Sequence, residues 1–260
     1  MSRVRLGAVS FLNARPLVYG LDRSPRFDVQ YDAPSRCASL LHEGALDLGL
    51  IPSIEYLRQP YLAVPGLAIA SRGPVASVAL FTKKPMREVR SIAMDTSSRT
   101  SVALVRVLCA RHYKITPDID MRGPELADML AHADAALIIG DRALFADPVA
   151  GVEKIDLGET WTALTGLPFV YAFWAGRPGA ITPADVRALQ QARDEGVRRP
   201  DDLARHMFPD DPRQQAIGAR YLRDNIKYVL GAEELAGLDT FYRYAAEAGL
   251  VDRAAPVRFY

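Results

Sequence analysis

SIAMDTSSRTSVALVRVL, residues 91–108, is a short apolar strand, a hydroxyl-rich turn and an amphipathic helix in direct succession. Leu104, Val105 and Leu108 share one helical face, and Arg99 and Arg106 fall away from it. The same order has already run once, nearer the start of the chain. Val4, Leu6 and Ala8 alternate with Arg5 and Gly7, and residues 10–21 follow with Pro16 early and Gly20 late, as at the two ends of a helix. Residues 27–31 are a second expected strand, 35–43 a helix stopped by Gly44, and 46–51 a nearly all-apolar strand. Two separate runs of alternating β and α elements predict two sheets, each mostly parallel.

What lies between the runs sets the expected organisation. KKPMREVR, residues 83–90, is polar and precedes the restart, and GRPGA, residues 176–180, follows the buried-type strand 169–174. Strands at 118–121 and 135–139 and a helix at 124–132 complete the second run, and the helix that opens it extends over 98–113. Beyond residue 182 everything is helical: 183–195, 202–207, 213–230 and 233–248, with Leu238, Phe241, Tyr242 and Ala245 on one face. The expected fold is therefore α/β, a two-lobed clamshell resembling the type II periplasmic-binding proteins. Residues 1–86 and 177–260 would form the first lobe with its helical tail, and 87–176 an inserted second lobe. Such a fold serves transport, sensing and catalysis alike, so function must come from the site.

A formal net charge of +1 leaves no basic field for nucleic acid. Cys37 and Cys109 fall in helix-like segments of different lobes, which predicts two buried thiols rather than a disulfide. The N-terminal residues run straight into a strand pattern without the apolar core of a secretory signal, and no stretch approaches a membrane span. A cytoplasmic protein with no membrane partner is expected; oligomeric state is not legible.

Ligands of open α/β sheets gather at the carboxyl ends of strands, which singles out four segments. SFLNARP, residues 10–16, offers Ser10 and Asn13 either to an anion or to the orphan amides of a helix start. DTSSRTS, residues 95–101, gathers five hydroxyls and one guanidinium at a helix N-terminus, with Ser97, Ser98, Arg99 and Thr100 at its centre. That composition suits a carboxylate, and it equally suits a capping cluster. Ser77, in GPVAS, points either into a cleft or into a core hydrogen bond. Gly140 and Asp141 follow the apolar strand AALII, where Asp141 is either a helix N-cap or a cleft carboxylate holding a substrate hydroxyl. His42, His112, His132 and His206 all sit in helix-like segments with no second ligand at metal spacing. No nucleophile triad, phosphate loop or dinucleotide fingerprint is present, so neither a metal nor an organic cofactor is expected.

Taken together, GAVSFLNARPL, DTSSRTSVALVRVL, AALIIGDRAL and DLGETWTALTGLPFVYAFWA resemble the chorismate dehydratases of the futalosine route to menaquinone. The sister enzyme of that route, 1,4-dihydroxy-6-naphthoate synthase, opens with a Cys-Pro-Asn-Asp type of motif where this chain has Ser10-Phe11-Leu12-Asn13. The resemblance implies removal of water from chorismate to give 3-[(1-carboxyvinyl)oxy]benzoate without a cofactor. It places Asn13 and Ser77 nearest the reacting ring and Ser97, Ser98 and Thr100 at the anion-binding turn; Arg15 receives no role. No His, Glu or Lys lies in the four strand-end segments, which leaves Asp141, a water or the substrate's own enolpyruvyl carboxylate as the base. The competing reading is a non-catalytic binding protein for a small carboxylate.

Overall fold

The first expected strand forms over Val4–Val9 (β1) in the computed structural model of the chain, which describes residues 3–260. The helix expected after it is instead a 3-10 turn over Leu12–Val18. Pro16 lies inside this stretch and has no N–H to continue an α-helical ladder, and the Ala14 N–H bonds three residues back to the Phe11 carbonyl. β2 (Phe27–Asp32), α1 (Pro34–Glu43) and β3 (Leu48–Pro52) follow as a parallel crossover unit, with Gly44 ending α1 in the left-handed conformation. Two short strands, β4 (Leu62–Ala63) and β5 (Ile69–Ser71), close this part of the chain.

The second lobe comprises β6 (Val78–Thr82), β7 (Ser91–Asp95), α2 (Arg99–Leu108), β8 (Asp118–Arg122), α3 (Leu126–His132), β9 (Ala135–Ile139), α4 (Gly140–Leu144) and β10 (Glu153–Asp156). Its strands are ordered β10-β6-β9-β7-β8. From there α5 (Leu157–Thr165) leads back to β11 (Phe169–Gly176), which joins the first sheet in the order β2-β1-β3-β11-β4, with β5 also on β11. Four helices complete the chain: α6 (Pro183–Gly196), α7 (Pro200–Met207), α8 (Pro212–Asp224) and α9 (Ala232–Glu247).

Three further expectations change. The sheets are mixed rather than mostly parallel: β11 runs antiparallel to β3, β4 and β5, and β6 antiparallel to β9 and β10. The lobe boundaries expected at 86/87 and 176/177 both move toward the N-terminus. β6 pairs in the second sheet and β11 in the first, so the crossings lie between Ser71 and Val78 and between Asp156 and Phe169. Helix α8 is shorter than expected, because residues beyond Asp224 turn extended and Lys227 exchanges backbone hydrogen bonds of 2.8 and 2.9 Å with Ala70.

One hydrophobic core runs through both lobes, from Leu6 and Leu50 through Trp174 to Met94, Leu104 and Leu137. Trp161 on α5 meets Phe169 and Phe241 edge-on, which seats α9 against β11. Helix α6 lies on the 3-10 turn at backbone distance, since a Cβ at Gly196 would come within 2.3 Å of the Pro16 carbonyl. The tail helices thereby fix the turn that carries Asn13. Burial pushes the thiols of Cys37 and Cys109 up to about 12, and both cysteines are free. Among the described residues, no helix is long and apolar enough to cross a membrane.

Candidate active site

Both sheets direct strand ends toward one small cavity of about 40 Å³ between the lobes. Phe11 and Asn13 reach it from the turn after β1, Ser77 from the start of β6, and Ser98 from the start of α2. Gly140 closes it after β9, and Tyr171 on β11 forms part of the wall. The lining is apolar with a few convergent polar groups, the ordinary make-up of a small-molecule site.

Two of those groups, Asn13 and Ser77, converge on Tyr221 of α8 behind the wall. The Ser77 and Tyr221 hydroxyls lie 2.6 Å apart, and the Asn13 side chain stands close to the same phenol. Burial holds the Tyr221 phenol well above its ordinary pKa, so it stays protonated. The Asn13 carbonyl oxygen Oδ1 is buried and has no partner in the protein. A buried acceptor left open costs about 1 to 3 kcal/mol, and one at the wall of a cavity is positioned to receive a ligand's donor.

The backbone here is constrained. Ala76 adopts φ of +63°, a conformation that L-residues seldom take, immediately before Ser77. Asp156 holds it there by accepting from the N–H groups of Val75 at 3.0 Å and Ala76 at 2.6 Å while also capping α5 through Glu159. Gly140 has φ of +67°, and a Cβ there would stand 2.8 Å from the Phe11 ring. Its N–H bonds the Ser77 carbonyl at 2.8 Å, which ties the two second-lobe segments together.

Asp141 is neither the cap of its own helix nor a wall of the cavity. Its carboxylate accepts the Leu12 N–H of the opposite lobe, at 3.0 and 3.2 Å, and so latches the lobes across the cleft. Burial raises its carboxyl from the ordinary 3.8 to about 6, outweighing the Leu12 N–H and the Arg15 guanidinium. The folded protein therefore holds a proton between about pH 4 and 6 that the unfolded chain has already released. Stability falls as pH rises through that window, and above it the fold carries the cost of a buried charge. Asp141→Asn keeps an oxygen for Leu12 and removes the charge. It should raise the stability at pH 7 by about 1 to 3 kcal/mol and flatten the dependence between pH 4 and 6 in urea titrations. A variant less stable than the parent at pH 7 would show that the ionised carboxylate is worth more to the latch than it costs.

The hydroxyl-rich turn divides its work. Ser98 lines the cavity and caps α2 through the Ser101 N–H. Ser97 turns its hydroxyl onto Asp95 at 2.5 Å, and its carbonyl accepts the Ser35 N–H of α1 at 3.0 Å across the lobes. Thr100 is buried and accepts the Ile54 N–H at 3.1 Å, so its oxygen serves the lobe seam rather than an anion. Arg99 likewise leaves the cavity: it donates to Glu55 at 2.6 Å and to Ser39 at 3.0 Å in the first lobe. Burial acts to raise the Glu55 carboxyl, but His42, Arg99 and Arg58 together hold it below its ordinary value. Ser10 contributes only backbone, through the Asp32 carbonyl and Arg15. Of the nine expected site residues the cavity gathers Asn13, Ser77, Ser98 and Gly140. Tyr221, Tyr171, Phe11 and Asp156 are additions that the strand-end rule did not reach.

A second, larger cavity of about 840 Å³ opens outward along the seam. The unpartnered Asn13 oxygen and the close-packed Gly140 meet at the smaller one, and the strained Ala76 adjoins Ser77 in its wall.

Residues 4–247 match a family model described as menaquinone biosynthesis. A protein of Thermus thermophilus named chorismate dehydratase is 33% identical over 258 residues, covering 91% of this chain and 93% of its own length. Another so named, from Campylobacter jejuni, is 30% identical over 176 residues, 64% of each chain. Among solved structures, a protein of Archaeoglobus fulgidus aligns with a TM-score of 0.75 at 14% identity, covering 96% of this chain and 98% of that one. The alkanesulfonate-binding protein of Xanthomonas axonopodis pv. citri, bound to MOPS, aligns with a TM-score of 0.69 at 17% identity over 99% and 96%. These structural likenesses bear out the periplasmic-binding-protein type of fold.

Proposed function

The chain belongs to the menaquinone biosynthesis family, and from that premise we propose that it is a cytoplasmic chorismate dehydratase, a hydro-lyase of the futalosine pathway. Chorismate loses the ring proton on the carbon bearing the enol ether and the hydroxyl on the next carbon. The C–H electron pair becomes the last ring double bond, hydroxide leaves with a proton as water, and 3-[(1-carboxyvinyl)oxy]benzoate remains. Aromatisation makes the step strongly downhill, so the site has mainly to orient the reactants and supply a base.

The observation that carries this reading is the buried, unpartnered Asn13 Oδ1 beside the Ser77–Tyr221 pair, in a wall without a carboxylate, histidine or lysine. The one titratable group in the wall, Tyr171, is held protonated by burial. Asp141 spends its oxygens on Leu12. The proton is therefore taken by the substrate's enolpyruvyl carboxylate, with Asn13 and Ser77 fixing the hydroxyl and that carboxylate in the reacting geometry. Orientation of this kind lowers barriers by up to ~7 to 11 kcal/mol in well-aligned systems. The α2 start, with Ser98 at the wall, receives a carboxylate of the substrate.

Purified protein incubated with chorismate should produce an aromatic absorbance and a product lighter by one water. Saturable binding of chorismate with the ligand recovered intact would mean a binding protein instead.

A further inference from the structure

The outward cavity along the lobe seam has a charge pattern that the reaction does not use. Arg58, Arg99, Arg106 and Arg253 line it, against two carboxylates, Glu55 and Asp252. Glu55 is already committed to Arg58 and Arg99. Among the described residues, no carboxylate lies within ion-pair distance of Arg106 or Arg253, which come from different parts of the chain, α2 and the segment after α9. The wall also carries apolar groups, with Val102 and Ala103 on the same face of α2 as Arg99 and Arg106. At about 840 Å³ the groove has the size of a small-molecule site, and Ser98 lines both it and the inner cavity.

Apolar side chains among the polar ones, two guanidiniums without an ion-pair partner among the described residues and a shared wall with the inner cavity suit a dianion with a hydrocarbon ring. We propose that the groove is a capture site for the dianionic substrate, which is held by Arg106 and Arg253 before it passes Ser98 into the inner cavity. This rests on the dehydratase reading for the identity of the ligand. A concave patch of net positive charge concentrates anionic ligands and raises their association rate, and the effect falls with salt. Arg106 and Arg253 thus act on capture and leave the chemical step alone.

The test is the double variant R106A/R253A, both positions being exposed. At low ionic strength its kcat/KM for chorismate should fall about tenfold, with kcat within twofold of the parent and a shallower dependence on salt. Thermal midpoints should coincide, which keeps a folding defect apart from a capture defect. Binding of isophthalate, a ring dianion that cannot react, should weaken by about the same factor. Unchanged kcat/KM and salt dependence, or a loss confined to kcat, would overturn the proposal. The two readings fail separately: a parent protein that leaves chorismate intact ends the dehydratase reading, and isophthalate binding that ignores both arginines ends this one.

Discussion

Asn13→Ala should lower chorismate turnover by about 100- to 1,000-fold while changing substrate affinity by no more than a few-fold. The small affinity change follows from where Asn13 sits. It is one of several groups lining the cavity, and its open oxygen offers a ligand a single contact, so the ground state loses little. Turnover loses much more, because the ring hydroxyl and the enolpyruvyl carboxylate must be held together for the proton to move. Asp141→Asn, which leaves the latch to Leu12 in place, should be the milder change in kcat. If Asp141→Asn abolishes turnover in a protein that still binds chorismate, Asp141 is the base and the substrate-assisted step is wrong.

Gly140→Ala should destabilise the fold by about 2 to 4 kcal/mol and lower turnover at least as sharply as the stability loss suggests. Two costs add. The backbone at φ of +67° disfavours any Cβ, and that Cβ would press on the Phe11 ring at 2.8 Å. Phe11 lines the cavity and precedes Leu12, whose N–H holds the Asp141 latch. Gly151 separates the two costs, since its φ is +73° but nothing lies within 4 Å of the added carbon. Gly151→Ala should cost about 1 kcal/mol and leave turnover intact. Equal urea midpoints for the two variants would remove the Phe11 contact from the account.

Much of the fold was legible because local periodicity carries it. The strands at β1, β7 and β9 show the expected burial, and Gly44 stops α1 as its position indicated. The sheet to which a strand belongs is a long-range fact. VALFT in β6 and FVYAFWAG in β11 are both fully buried apolar runs, and nothing in either says that one crosses to the second sheet and the other returns to the first. The site divides in the same way. Asn13, Ser77, Ser98 and Gly140 lie at strand ends, where the sheet geometry puts ligands, and were readable from that rule. Tyr221 comes from the middle of a tail helix, where a tyrosine among apolar neighbours looks like core. Arg99 and Thr100 have the composition of an anion cradle, yet their partners are Glu55 and Ile54, more than forty residues earlier in the chain.

The placement of β11 in the first sheet bears on how the chain is made. Ribosomal synthesis delivers β3 first, and its antiparallel neighbour is complete only after more than a hundred further residues, a delay of roughly ten seconds at typical elongation rates. During that interval the second lobe emerges as one uninterrupted stretch and can pair all five of its strands. The first lobe waits with the apolar edge Leu48–Pro52 open, so the nascent protein is most exposed to wrong pairing while its later-numbered lobe is already folding.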